Sequence, residues 1–384
     1  MATGANTYWL GHRTQFYAMA ESTAGTFVKP TGAGAARVET TEFAHEREYK
    51  LRDDTQAQRS YTERIAGKDR ISWSVGAKLI PSGTAGTPPD LHELYKAAFG
   101  TYANSPSTSD TYTGIETQTI ATASVVRYSA ELMEAILGAW CNEFVLSATG
   151  GEEPKVKFSG GGMGFARTGN STLNGAMAAT DQMVVETADG QLFNAGSVVK
   201  IDTDDNSGAG YEVTAEGSRP TFTIESSISA DDEDTVVPFA PTPSYAGSPA
   251  SGLAGSVTWA STGLAVTGFE VTLTNNYKGL EDEAFTRFPT DAVAGRRNVS
   301  GKLTMRGRKD RFVHWANRYD NFTNRTCVVV LGSTAGKICT VTMNQCRIDF
   351  TPLQVPQAEE SMVELPFTAL ATTSGSDDIS LVFT

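Results

Sequence analysis

Residues 42–72 align without a gap on residues 270–300, 228 positions later, and nine of the 31 pairs are identical. Glu42, Tyr49, Lys50, Asp54, Arg59, Thr62, Ala66, Gly67 and Ser72 meet Glu270, Tyr277, Lys278, Asp282, Arg287, Thr290, Ala294, Gly295 and Ser300. Average amino-acid usage gives roughly two such identities by chance. Asp53/Glu281, Glu63/Asp291, Ile65/Val293, Lys68/Arg296 and Ile71/Val299 add conservative matches. One structural unit is therefore expected twice in the chain, and three such chains in a ring present six equivalent units.

The order of predicted elements repeats with the letters. The first copy reads as a strand over 38–49, a charged loop over 50–66, a strand over 70–80, and a short helix over 91–99 with Asp90 as N-cap and Gly100 as stop. The second reads as strand 264–275, charged loop 277–294, strand 297–306 and helix 309–319. Further strands follow at 140–148 and 154–159, then at 326–331, 337–350, 362–370 and 379–383. This is a mainly β (α+β) pattern, in which a single helix per copy covers one side of mostly antiparallel sheets.

With 384 residues and 40% apolar content the chain can bury a sizeable core, and its length fits two or three domains. Its charge of −13 is concentrated in one place. Residues 176–243 hold thirteen acidic and two basic residues, −11 of the total. That segment has β-branched runs broken by ADG, NAG, DDNSG and EGS turns, so it reads as a small all-β module between two linkers rich in small residues. The expected domains are 1–165, 176–243 and 244–384. No stretch approaches the roughly 18 apolar residues of a membrane span, and the opening residues lack a secretory pattern, so folding in a cytosol without membrane insertion is expected. Cys141, Cys327, Cys339 and Cys346 form no CxxC pair and are expected as buried thiols.

Alternation gives each repeated strand a dry and a wet face. Phe269, Val271 and Leu273 oppose Glu270, Thr272 and Thr274, while Phe43 opposes Glu42, Ala44, Glu46 and Glu48. Ile71, Trp73, Val75 and Ala77 oppose Ser72, Ser74 and Lys78, and Val299, Leu303 and Met305 oppose Ser300, Lys302, Thr304 and Arg306. Six such sheets joined edge to edge close into a wide barrel with the wet faces inward. The residues expected to line it are Glu42, Glu46, Glu48, Ser72, Ser74, Lys78, Glu270, Thr272, Thr274, Lys302 and Arg306. Both charge signs are mixed on this face, whereas a surface that holds a polyanion clusters Lys and Arg.

IAGKDRISWSVGAKLIPSGTAGTPPDLHELYKAAFG in the first copy resembles the major tail tube proteins of long-tailed bacteriophages, particularly of non-contractile tails. So do VTGFEVTLTNNYKGLEDEAF, AGRRNVSGKLTMRG and GKICTVTMNQCRIDFTPLQVP in the second copy, and the ending ELPFTALATTSGSDDISLVF. The resemblance implies tandem β-sandwich domains, each flanked by a helix, that form an inner β-barrel on oligomerisation. It also implies rings stacked into a hollow virion tail tube, assembled in the host cytoplasm, through which DNA leaves. Tape measure, tail terminator and distal tail or baseplate proteins are the partners it implies, with no cofactor. The long loops are the family's reach toward the adjacent ring, which assigns Asp53, Asp54, Arg59, Glu281, Asp282 and Arg287 to inter-ring contacts. Duplication suggests a trimer imitating a hexamer, and the acidic module resembles an optional surface decoration.

Other chemistry is thinly represented. Asp202, Asp204, Asp205 and Asn206 resemble a calcium loop, but Ser207 stands where glycine is needed and Glu212 falls one place short of the bidentate position. The run Asp231–Asp234 suits a solvated face. SGGGMG at 159–164 lacks dinucleotide-binding spacing. His12, His45, His92 and His314 have no nucleophile in a recognisable motif, and Trp73, Trp140 and Trp315 suit a core or subunit contact. A β-sandwich adhesin or carbohydrate-binding protein is the alternative, and a polysaccharide-active enzyme a third option whose carboxylate geometry the sequence does not fix.

Overall fold

The computed structural model describes residues 14–51, 63–117, 119–129, 131–280, 286–306, 324–349, 362–372 and 375–384. The N-terminal part runs β1 (Thr14–Ala20), β2 (Ala35–Ala36), β3 (Thr40–Leu51), β4 (Arg64–Lys78), α1 (His92–Phe99), β5 (Gly100–Ser105), β6 (Ser109–Gly114), β7 (Ala123–Ser129), β8 (Leu132–Thr149), β9 (Lys155–Gly161) and β10 (Gly164–Thr168). After a module built from β11 (Ser171–Thr172), β12 (Met177–Val184), β13 (Val198–Ile201), β14 (Tyr211–Glu216), β15 (Thr221–Ala230) and β16 (Thr235–Pro238), the C-terminal part begins. It runs β17 (Gly255–Trp259), β18 (Thr262–Leu264), β19 (Val266–Thr274), β20 (Lys278–Gly279), β21 (Ala292–Val293), β22 (Asn298–Arg306), β23 (Arg325–Leu331), β24 (Cys339–Ile348), β25 (Met362–Leu370) and β26 (Ser380–Phe383).

In the N-terminal part β1 pairs with β2 and β7, β7 with β8, β8 with both β10 and β9, β9 with β4, and β4 with β3, all antiparallel. In the C-terminal part β17 pairs with β18 and β23, β23 with β24, β24 with both β26 and β25, β25 with β22, and β22 with β19, again antiparallel. The register recurs as well as the order. Glu42, Phe43, Ala44 and His45 lie opposite Ser74, Trp73, Ser72 and Ile71; Glu270, Val271, Thr272 and Leu273 lie opposite Lys302, Gly301, Ser300 and Val299. Each part is two-layered because one long strand serves both sheets. β8 pairs with β7 and β10 in its first half and with β9 in its second; β24 likewise pairs with β26 in its first half and β25 in its second, while β23 runs along most of its other edge.

The parts are joined edge to edge where β8 pairs with β19, and again where β26 pairs with β6. The first junction makes a continuous ladder in the order β3-β4-β9-β8-β19-β22-β25-β24. Val75, Phe158, Phe144, Leu273, Val299 and Ala369 stand opposite one another on its dry face and are all buried. They belong to one apolar core that runs from Trp73 and Tyr95 to Trp259 and Phe367, so burial of apolar area holds both parts as one body.

Helix α1 covers this core with Leu94, Tyr95, Ala97, Ala98 and Phe99 and stops at Gly100, whose φ of 87° is open to glycine. Asp90 does not cap it. Leu91 holds the N-cap position with no side-chain hydrogen bond, and the Asp90 carboxylate instead accepts Arg37 Nε at 3.0 Å. The expected helix over 309–319 lies outside the described residues. The strand expected at 140–148 is the second half of β8, which is 18 residues long.

The module is a closed ring of short strands in the order β11-β16-β13-β14-β15-β12, completed by a bridge between Leu173 and Val185. It has its own apolar core, including Met183, Phe193, Tyr211, Phe222 and Val236. Asp204 and Asp205 accept backbone N–H groups of their own turn, from Asn206 at 3.1 Å and Gly208 at 2.9 Å. Among the described residues no cluster of His, Cys, Asp and Glu is placed to hold a metal ion. All four cysteines are buried free thiols, and burial pushes Cys141 up to about 12.

Candidate functional site

The strand periodicity of two turns every second side chain of the eight-stranded ladder to its other, polar face. Rows of opposing residues can be followed across it. Glu42, Ser74, Ser159, Glu143 and Thr274 form one row. Lys157, Val145, Thr272, Ser300, Thr368 and Arg347 form the next, and Lys78, Lys155, Ser147, Glu270 and Lys302 a third. Ser72 lies one step to the other side, opposite Ala44 and Gly161. Most of the residues assigned to a lining thus share one surface. Arg306 ends β22 opposite Met362, and Glu46 faces Arg70. Glu48 sits at a register break between Arg47 and Tyr49, on an arm of β3 and β4 that extends past β9.

The sequence reading did not include Glu143, Ser147, Lys155, Lys157, Ser159, Thr368 or Arg347 in this face. The alternation of KVKFSG over 155–160 carries the signal for three of them, but only the strand order places β9 and β8 between the two repeated hairpins.

Charge in the third row is matched locally. Lys78 pairs with Glu153, Lys155 lies 3.8 Å from Glu39, and Lys302 lies 3.8 Å from Glu270. Ser74 and Ser159 each donate to a carboxylate, Glu42 and Glu143, at 3.3 Å. Such exposed pairs add little stability, so their consequence is for the surface potential. An open groove of about 500 Å³ lies at one end, lined by Glu42, Ser72, Ser74, Trp140, Asn142 and Tyr277 among others.

The loop between β19 and β22 crosses this end and is tied to the N-terminal part. Asp69 on β4 is fully buried and accepts Arg47 Nε at 2.8 Å, His45 Nε2 at 2.7 Å, and Arg287 Nε from the loop. Its backbone N–H donates to the Arg287 carbonyl at 3.0 Å. Burial opposes the Asp69 charge, and the hydrogen bonds from Arg47, His45 and Arg287 outweigh it, lowering the carboxyl from 3.8 to about 2. Arg287 is therefore engaged within its own chain. Asp53, Asp54, Arg59, Glu281 and Asp282 lie outside the described residues.

Arg297, 228 positions after Asp69, is the hub of a second network. It makes a bidentate contact with Asp378 at 2.7 and 2.9 Å, reaches Glu116 at 2.7 Å, and donates to the Ile115 carbonyl at 2.8 Å. Both ion-pair hubs link the two parts of the chain. The aligned position holds opposite charges, which is a sequence signal that similarity scoring passes over. His92, the other described histidine, is a packing residue, with Nδ1 2.5 Å from the Tyr112 hydroxyl and burial holding its imidazole below the ordinary value.

Among the described residues no helix is long and apolar enough to cross a membrane. No curated protein matches the chain. A family model described as phage tail tube protein matches residues 11–369. The match spans nearly the whole of this mainly β chain, and the chain belongs to the phage tail tube protein family.

Proposed function

We propose that the chain is a duplicated tube subunit of a non-contractile phage tail, three copies of which close a ring of six equivalent units. Residues 1–165 and 244–384 are the two tube domains, and residues 176–243 an inserted decoration. The observation that carries this reading is the β8–β19 junction. It joins the last strand of one four-stranded group to the first strand of the next, while β3, the first strand of the first group, has its only ladder among the described residues with β4. Thr41 O at one end of that edge accepts Arg127 Nη1 at 3.1 Å, which leaves the edge from Phe43 onward to a neighbour. A long open edge of this kind calls for a partner strand.

In the closed ring the polar face lines the channel, and phage DNA passes over it without sequence-specific binding. Rings stack through the charged loops, with Asp53, Asp54, Arg59, Glu281 and Asp282 as inter-ring contacts, while Arg287 holds the base of its loop. Tape measure, terminator and distal tail proteins bound the tube. Concentrating the purified 40.9 kDa chain and following it by native mass spectrometry and negative-stain microscopy tests the reading. Masses in multiples of three chains and hollow rings or tubes are expected. A monomer at every concentration, with or without a tape measure protein, would refute it.

A further inference from the structure

At the β8–β19 junction one aromatic side chain seals the end of the ladder. Tyr277, just past β19, packs on a cluster of Trp140, Met163 and Ala292. Its backbone N–H donates to Asn142 Oδ1 at 2.7 Å, and the Asn275 N–H donates to the Asn142 carbonyl at 2.8 Å. Beyond it the short β20–β21 pair, Lys278 opposite Val293 and Gly279 opposite Ala292, lies against the N-terminal part.

The same arm exists in the N-terminal part and has no such seat among the described residues. Lys50 and Leu51 lie opposite Ile65 and Arg64, the register of β20–β21 shifted by the repeat. Tyr49 holds the place of Tyr277. Tyr49, Leu51 and Ile65 are 54%, 50% and 54% exposed, an apolar strip on an extended ribbon.

The counterpart of the seat is fixed by the ladder. Trp140 lies opposite Gly161, which lies opposite Ser72; Arg347 lies opposite Thr368, which lies opposite Ser300. Arg347 therefore stands where Trp140 stands, and Asp349, exposed and two positions past Arg347 as Asn142 is past Trp140, is the polar residue of that corner, level on the ladder with Glu143 because β8 bulges by one residue at Asn142. From these correspondences we infer that Tyr49 of one chain seats on the Arg347–Asp349 corner of a second copy. There it repeats between chains the contact that Tyr277 makes within one. An aromatic ring stacks on a guanidinium as well as on an indole, and the carboxylate of Asp349 replaces the amide oxygen of Asn142 as acceptor. The inference rests on the ring assembly proposed above and names the residues that close it.

Mixing a Tyr49→Cys chain with an Asp349→Cys chain under mild oxidation tests it, because the native cysteines are buried and do not compete. A Tyr277→Cys/Asn142→Cys chain serves as the intrachain control. Expected are a disulfide-linked dimer from the mixture only, and a covalently closed trimer from the chain carrying both substitutions. Tyr49→Asp should raise the concentration for half-assembly about tenfold or more without shifting the melting temperature of the monomer, since Tyr49 is exposed there. Rings seen by microscopy without the cross-link would overturn the Tyr49 seat and leave the tube reading standing. Absence of both rings and cross-link would overturn the two together.

Discussion

Asp69 and Arg297 occupy one position of the repeat with opposite charges, and each holds the N-terminal and C-terminal parts together through a different partner set. The Asp69 carboxyl is lowered from 3.8 to about 2 in the folded chain. A depressed carboxylate contributes stability that is fully present above its unfolded value and is lost as pH falls through the folded one. Urea unfolding followed from pH 5 down to pH 2 should therefore show a loss setting in below about 4. An Asp69→Asn chain should be less stable at neutral pH and show a smaller loss over that acid window; an equal loss would remove Asp69 as its source. Arg297 gives a sharper case. Asp378 is only 6% exposed, so Arg297→Met strands a buried carboxylate and should destabilise by about 3 kcal/mol at neutral pH. Adding Asp378→Asn should recover part of that loss, because the stranded charge is then gone. The four buried thiols should resist alkylation until the chain unfolds.

At the scale of elements, the two hairpin sheets keep their register while exchanging side-chain volume between neighbouring strands. Trp73 on β4 lies opposite Gly160 on β9; at the matching point Gly301 on β22 lies opposite Phe367 on β25. The large ring moves to the other strand and the glycine moves with it, so packing is conserved and identity is not. A Cβ on Gly301 would stand 2.5 Å from the Phe367 ring and 2.7 Å from the Glu270 carbonyl oxygen. Gly301→Ala should cost about 1–3 kcal/mol in denaturant unfolding, and less in a Phe367→Ala background, where only the backbone clash remains. Equal costs in both backgrounds would mean the ring is not the obstacle. This exchange also explains what the sequence made legible. The hairpins around 42–72 and 270–300 stood out because their loop and edge letters repeat, and alternation on them placed Glu42, Ser74, Glu270 and Lys302 on one face. The strands that complete each unit, β1 with β17 and β7 to β10 with β23 to β26, share pairing order but few letters. Their correspondence emerges only from the ladder. The first half of β8, LMEAILG, alternates poorly because both its faces are buried, Met133 and Ala135 in one apolar cluster and Ile136 in another, which hid its passage between sheets.

For the whole molecule, the chain's charge of −13 and the charge of the polar sheet face are separate matters, because −11 of it lies in residues 176–243. On the face itself Lys78, Lys155 and Lys302 each have a carboxylate within 4 Å, and in the neighbouring row Lys157 and Arg347 stand at opposite ends, so no continuous cationic stripe forms. A duplex in the proposed channel therefore meets a hydrated surface of hydroxyls and compensated ions. Few condensed counterions are released there, and with them goes the main source of non-specific affinity for DNA. This makes the channel wall a surface to move over. Glu39, Glu153 and Glu270 carry the compensation, each beside one lysine of the same row. Replacing them together by glutamine uncovers the lysines, and replacing them by lysine builds a basic band. Assembled wild-type rings should show no measurable retention of duplex DNA at 150 mM salt in a filter-binding titration. The triple lysine chain should bind with an affinity that falls steeply as salt rises, and the triple glutamine chain should fall between the two. Strong, salt-dependent retention by the wild-type ring would show that the wall grips its cargo, and the matched charges would then need another explanation.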